Sequence, residues 1–139
     1  MKVVINKCYG GFGLSHEAML RYAEIKGIKL YPEESGYGFV QYYTVPAHQR
    51  TPEVVGNWHE LPIEERRRLN EQWRSERIND LEISRNDDAL VQVVEELGSK
   101  KASGRFADLK VVNIPDGVDW EIDEYDGLEK IAETHRSWG

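Results

Sequence analysis

Apolar and polar positions change period several times along the chain, and each change marks an element. Val3, Val4 and Ile5 form a β-branched run, so residues 2–7 read as a strand. A glycine-rich turn follows, Cys8-Tyr9-Gly10-Gly11-Phe12-Gly13-Leu14. Ser15 then reads as a helix N-cap, and Glu17 suits the positive end of the helix dipole. Ala18, Met19, Tyr22, Ala23 and Ile25 make an imperfect apolar face that stops at Gly27. Residues 28–31 predict a second strand closed by Pro32, and residues 37–45 a third, rich in aromatics, that Pro46 ends.

The middle is less regular. Residues 46–62 contain three prolines, with Val54, Val55 and Trp58 as anchors. Pro62-Ile63-Glu64-Glu65 opens a helix running to about residue 77, because proline fits the first turn and acids favour that end. Its apolar stripe is thin: Ile63, Leu69 and Trp73. Further on, Asp87 is an N-cap for a helix carrying Leu90, Val91, Val94 and Leu97 on one face, ended by Gly98. Residues 99–104 read as a polar loop and 109–114 as a strand, followed by the turn Pro115-Asp116-Gly117. Val118, Trp120 and Ile122 alternate with Asp119, Glu121 and Asp123 as a half-buried strand, expected to pair with 109–114 as a hairpin. Leu128, Ile131, Ala132 and His135 predict a short last helix before Trp138. These elements imply an α+β fold, one compact domain over residues 1–139 in which helices pack against a mixed β-sheet.

Composition narrows the class. The chain has 139 residues, 40% hydrophobic and 10% aromatic, which suits one folded domain. No apolar run approaches the length of a membrane span, so no membrane association is expected. One cysteine, Cys8, forms no internal disulfide and fits a reducing, cytoplasmic setting. The net charge of −7 is uneven: residues 1–84 carry 11 Lys/Arg against 12 Asp/Glu, and residues 85–139 carry 7 against 13. An acidic second part disfavours duplex nucleic acid as a partner.

The residues with candidate chemistry are few. Gly10-Gly11-Phe12-Gly13 between a strand and a helix lets the backbone turn sharply and aim amides at an anion. Gly11-x-Gly13-x-x-His16 is only a degenerate dinucleotide fingerprint, since His16 replaces the third glycine; a plain chain reversal is the competing reading. His16-Glu17 and His59-Glu60 lack the second histidine of a zinc helix, and Asp119 to Asp126 lacks the glycine of a calcium loop, so no metal is expected. Ala102-Ser103-Gly104-Arg105-Phe106 sets an arginine beside hydroxyl and amide donors, a pattern suited to phosphate, unless Arg105 pairs with a nearby acid. Phe106 or Tyr9 could stack a base.

Four segments, MKVVINKCYGGFGLS, DDALVQVVEELG, ASGRF and IPDGVDWEIDEYDGLE with AETHRSW after it, together resemble a family of short, uncharacterised proteins encoded by tailed bacteriophages and prophages. The resemblance covers the two ends well and residues 37–83 poorly, and no catalytic residue carries over from it. It implies an accessory protein of the host bacterial cytoplasm, of the kind that blocks host defences.

The expectation is a non-catalytic protein that captures a small anionic, nucleotide-like ligand, as a homo-oligomer and with no cofactor. Gly11, Gly13 and Ser15 would meet phosphate, Arg105 would supply charge, and Tyr9 or Phe12 would stack. The alternatives are an inhibitor that docks on a host protein through its acidic part and, more weakly, a small nucleotide-acting enzyme.

Overall fold

A computed structural model describes residues 1–34, 38–54 and 56–134. The expectations placed on Tyr37, Val55, His135 and Trp138 lie outside these. The order is β1 (Lys2–Asn6), α1 (His16–Lys26), β2 (Tyr31–Glu34), β3 (Val40–Tyr43), α2 (Ile63–Ser75), β4 (Arg77–Ile78), α3 (Asp88–Ala102), β5 (Leu109–Asn113), β6 (Trp120–Tyr125) and β7 (Leu128–Glu133). The fold is α+β. The described residues fall into two compact units, one of residues 1–26 and 80–134, the other of residues 27–79.

In the first unit β1 pairs antiparallel with β5, with Val4 opposite Val111. Helices α1 and α3 pack on each other, and α3 also covers β1 and β5. The side chains between them form the core: Val3, Val4 and Ile5 from β1, Ala18, Met19 and Tyr22 from α1, and Leu90, Val93 and Val94 from α3. Burying each large aliphatic of this set contributes about 1.5–3 kcal/mol against solvent exposure. Asp87 caps α3 as its spacing predicts, its carboxylate accepting from the amides of Ala89 and Leu90. Gly98 breaks the helix at φ 78°, a left-handed conformation that glycine adopts readily. The chain then adds one more helical turn through Ala102, where a loop was expected.

Two expectations for the last third are corrected. Strand β5 does not form a hairpin with the segment after Pro115; it pairs with β1 instead. Strand β6 pairs instead with β7, the segment expected to be helical. The cause is local. Asp126 and Gly127 both have positive φ, 50° and 89°. They link Tyr125 to its partner Leu128 in a two-residue turn, and such a turn suits the twist of a hairpin. It directs Leu128–Glu133 back along β6 as a strand.

The second unit is a three-stranded antiparallel sheet, β2-β3-β4, with α2. Pro32 does not close the strand but lies within β2. Among the described residues the β structure is three small sheets, each antiparallel, rather than one mixed sheet. Among the described residues of this unit no apolar side chain is fully buried, and Glu76 is the one buried residue. Trp73, from the thin stripe of α2, packs on Trp58 with ring centroids 5.5 Å apart, while Ile63 is exposed. No helix among the described residues is long and apolar enough to cross a membrane.

Candidate ligand-binding site

The glycine turn after β1 and the loop after α3 are bound to each other. The Gly104 amide donates to the Gly13 carbonyl at 2.8 Å, and the Ser15 amide donates to the Ala102 carbonyl at 2.9 Å. Gly10 lies so close to Phe106 that a Cβ there would stand 2.2 Å from the Phe106 carbonyl oxygen. The two segments, far apart in sequence, thus form one surface.

Buried Asn6 is the hub beneath it. Its amide nitrogen donates to the carbonyls of Cys8 (2.7 Å) and Gly127 (2.8 Å). Its oxygen accepts from the amides of Asp108 (2.9 Å) and Cys8 (3.3 Å). One side chain therefore pins the glycine turn, the β6–β7 turn and the start of β5, with its hydrogen-bonding capacity filled. Beside it, Glu129 accepts from the Asn6 backbone N–H at 2.8 Å and forms a two-point ion pair with Arg85. The Arg85 guanidinium lies 3.6 Å from the centre of the Phe12 ring, close enough for a cation–π attraction.

The residues singled out in the sequence take different places. Ser15 is committed: its hydroxyl donates to the Lys101 carbonyl at 2.5 Å and accepts from the Ala18 amide as the cap of α1. Gly13 gives its carbonyl to Gly104, and the Gly11 amide makes a long bond of 3.4 Å to the Cys8 carbonyl with φ at 96°. Phe12 has one face under Arg85. Tyr9 is 64% exposed and Phe106 64% exposed.

Arg105 sits at an open cavity of about 510 Å³, lined also by Ser99, Lys100, Ser103, Gly104 and Asp108. Among the described residues its guanidinium makes no ion pair; its near neighbour is the Phe106 ring, whose centre is 5.4 Å from the guanidinium carbon. The Ser103 oxygen accepts from the Leu109 amide at 2.9 Å, which leaves its hydroxyl proton free to donate. Ser99 donates to the Asp108 carboxylate. Lys100 and Arg105 outweigh Asp108 here, so the rim is locally cationic within the acidic half of the chain.

Lys100 was not anticipated, because residues 99–102 read as loop; the extra helical turn after Gly98 brings it to the cavity. Asn6, Arg85 and Glu129 carry no motif, and they join here only through long-range contacts. Among the described residues no group of three or more His, Cys, Asp or Glu side chains could hold a metal ion. No protein-family model matches the chain, and neither a curated protein nor a solved structure matches it.

Proposed function

We propose that the chain is a non-catalytic binding protein that captures a small anionic, nucleotide-like ligand at the cavity beside Arg105. The observation that supports this is the Arg105 guanidinium, unpaired among the described residues, which shares an open cavity with Lys100 and the donor proton of the Ser103 hydroxyl and adjoins the exposed ring of Phe106. Cationic and hydroxyl donors suit phosphate oxygens, and an exposed ring suits a base. Tyr9, on the glycine turn bound to this loop, offers a second ring. Gly13 and Ser15 hold the turn against the loop through Gly104 and Ala102, and Gly11 supplies the left-handed bend within the turn. The resemblance to tailed-phage proteins fits an accessory role, capture of a nucleotide signal used in host defence, by a homo-oligomer in the host cytoplasm.

The test is calorimetric titration with 5′-nucleoside mono-, di- and triphosphates, with inorganic phosphate as reference. A charged hydrogen bond is worth about 1.5–3 kcal/mol, so Arg105→Ala is expected to weaken binding by about 10- to 100-fold. The bound nucleotide should be recovered chemically unchanged. Binding unaffected by Arg105→Ala overturns the assignment, and turnover makes the chain an enzyme.

A second reading rests on β6, where Glu121, Asp123 and Glu124 are exposed beside Tyr125, itself 77% exposed. An acidic strand with a protruding ring suits docking on a basic host protein. That binding would weaken steeply with salt and need no small ligand.

A further inference from the structure

The unit of residues 27–79 contains a cleft of about 530 Å³, lined by Glu33, Tyr43, Arg50, Thr51, Glu53, Trp73, Glu76 and Arg77. Its size is that of a small-metabolite site. Register puts Glu33, Tyr43 and Arg77 on one face of the small sheet: Tyr43 stands opposite Arg77 and Tyr31, and Glu33 lies two residues along from Tyr31.

Two of the charges satisfy each other. Arg50 pairs with Glu33, and its guanidinium lies flat enough on Tyr43 to bring its carbon within 3.5 Å of the ring centre. Three charges are left over. Glu76 is 9% exposed, and among the described residues its carboxylate accepts only from Thr51, through the amide and, at 2.8 Å, the hydroxyl. A buried carboxylate calls for a cation, and among the described residues none lies within ion-pair distance of it. Glu53 is exposed at the rim and likewise unpaired. Among the described residues Arg77 has only a 3.5 Å bond to the Gln41 side chain. Trp73 spends its indole N–H on the Thr51 carbonyl at 3.3 Å, so towards the cleft it offers its ring.

We propose that this cleft binds a free basic α-amino acid. The unanswered charges, two carboxylates and one guanidinium, are the complement of a ligand with two cationic groups and one carboxylate. The side-chain cation meets buried Glu76 with the aromatic wall beside it. The ligand carboxylate meets Arg77, whose planar fork matches it, and its α-ammonium meets Glu53. This site is independent of the one at Arg105, since every lining residue belongs to the other unit.

The probes are L-arginine, agmatine, which lacks the carboxylate, and L-citrulline, which lacks the side-chain charge. Binding is read from the indole N–H signal of Trp73 in 15N-labelled full-length protein, assigned by its loss in Trp73→Phe. L-Arginine is expected to shift it saturably, with agmatine about tenfold weaker for one lost ion pair and citrulline weaker again by at least as much. Arg77→Gln, at an exposed position, is expected to reduce L-arginine to the affinity of agmatine and leave agmatine unchanged. Three results overturn the proposal: no saturable shift with L-arginine up to about 10 mM, too weak for a built site; citrulline binding as tightly as arginine; or an equal loss of arginine and agmatine in Arg77→Gln.

Discussion

Arg85 and Glu129 meet through two parallel contacts, Nη1 to Oε1 at 2.6 Å and Nη2 to Oε2 at 2.9 Å, with side chains only 17% and 8% exposed. The pair does more than neutralise two charges. Glu129 also accepts from the Asn6 backbone N–H, Arg85 also donates to the Val4 carbonyl at 3.4 Å, and the Phe12 ring covers the guanidinium. It therefore joins β1, β7 and the glycine turn.

Removing one partner of such a pair leaves a charge without compensation. Glu129→Ala is expected to cost about 3–5 kcal/mol in urea unfolding. Replacing both residues together, Arg85→Met with Glu129→Leu, should cost clearly less, because apolar groups fill the same space without a stranded ion. Equal losses in the single and double variants would mean that packing, not charge, is what the pair contributes.

The contact of Gly10 with Phe106 makes a sharper test of the joined surface. A Cβ at Gly10 would clash with backbone, and overpacking of this kind costs about 1–3 kcal/mol. At Gly13 a Cβ would meet only the Asp80 carboxylate oxygen, at an ordinary 3.8 Å. Gly10→Ala should therefore lower stability and weaken nucleotide binding, while Gly13→Ala should change both little. Thermal melts and the same calorimetric titration report the two effects side by side.

Much of this surface is legible in the sequence. The β-branched run, the glycine turn, the Ser15 cap, the Asp87 cap and the Ser103-Gly104-Arg105 loop each depend on residues close in sequence, where local chemistry decides. What local chemistry could not show is which strand takes which edge. Leu109–Asn113 pairs with a strand at the opposite end of the chain, and only the burial of both against α3 selects that pairing over a hairpin. The β6–β7 hairpin was readable from Asp126-Gly127, a strong two-residue turn signal. The helical spacing of Leu128, Ile131 and Ala132 masked it. The 27–79 unit was hardest to read because, among its described residues, no buried apolar side chain imposes a period. Its described side chains are held by Arg50 on Tyr43, Trp58 on Trp73 and Thr51 on Glu76.

Between α1 and α3, Arg21 donates to Glu96 at 2.8 Å and 3.1 Å. The bond from Arg21, helped by Gln92, lowers the Glu96 carboxyl from 4.5 to about 2. A carboxylate depressed on folding stabilises fully above its unfolded value, and that contribution fades as pH falls from about 4.5 towards 2. In Arg21→Gln the Glu96 carboxyl should rise towards 4.5 by NMR while staying below it, because Gln92 still donates to it. The acid limb of stability between those pH values should then be shallower than in the parent. An unmoved Glu96 titration would mean that Arg21 does not hold it in solution.

The most direct test of the account is native mass spectrometry of the gently purified protein, beside a denatured spectrum of the same sample. Ligand capture predicts a defined oligomer that retains a non-covalent mass of nucleotide size, a mass absent from the denatured spectrum and lost in Arg105→Ala. A species that stays bare even after incubation with bacterial nucleotide extract would contradict ligand capture and favour a protein partner at the acidic β6 strand.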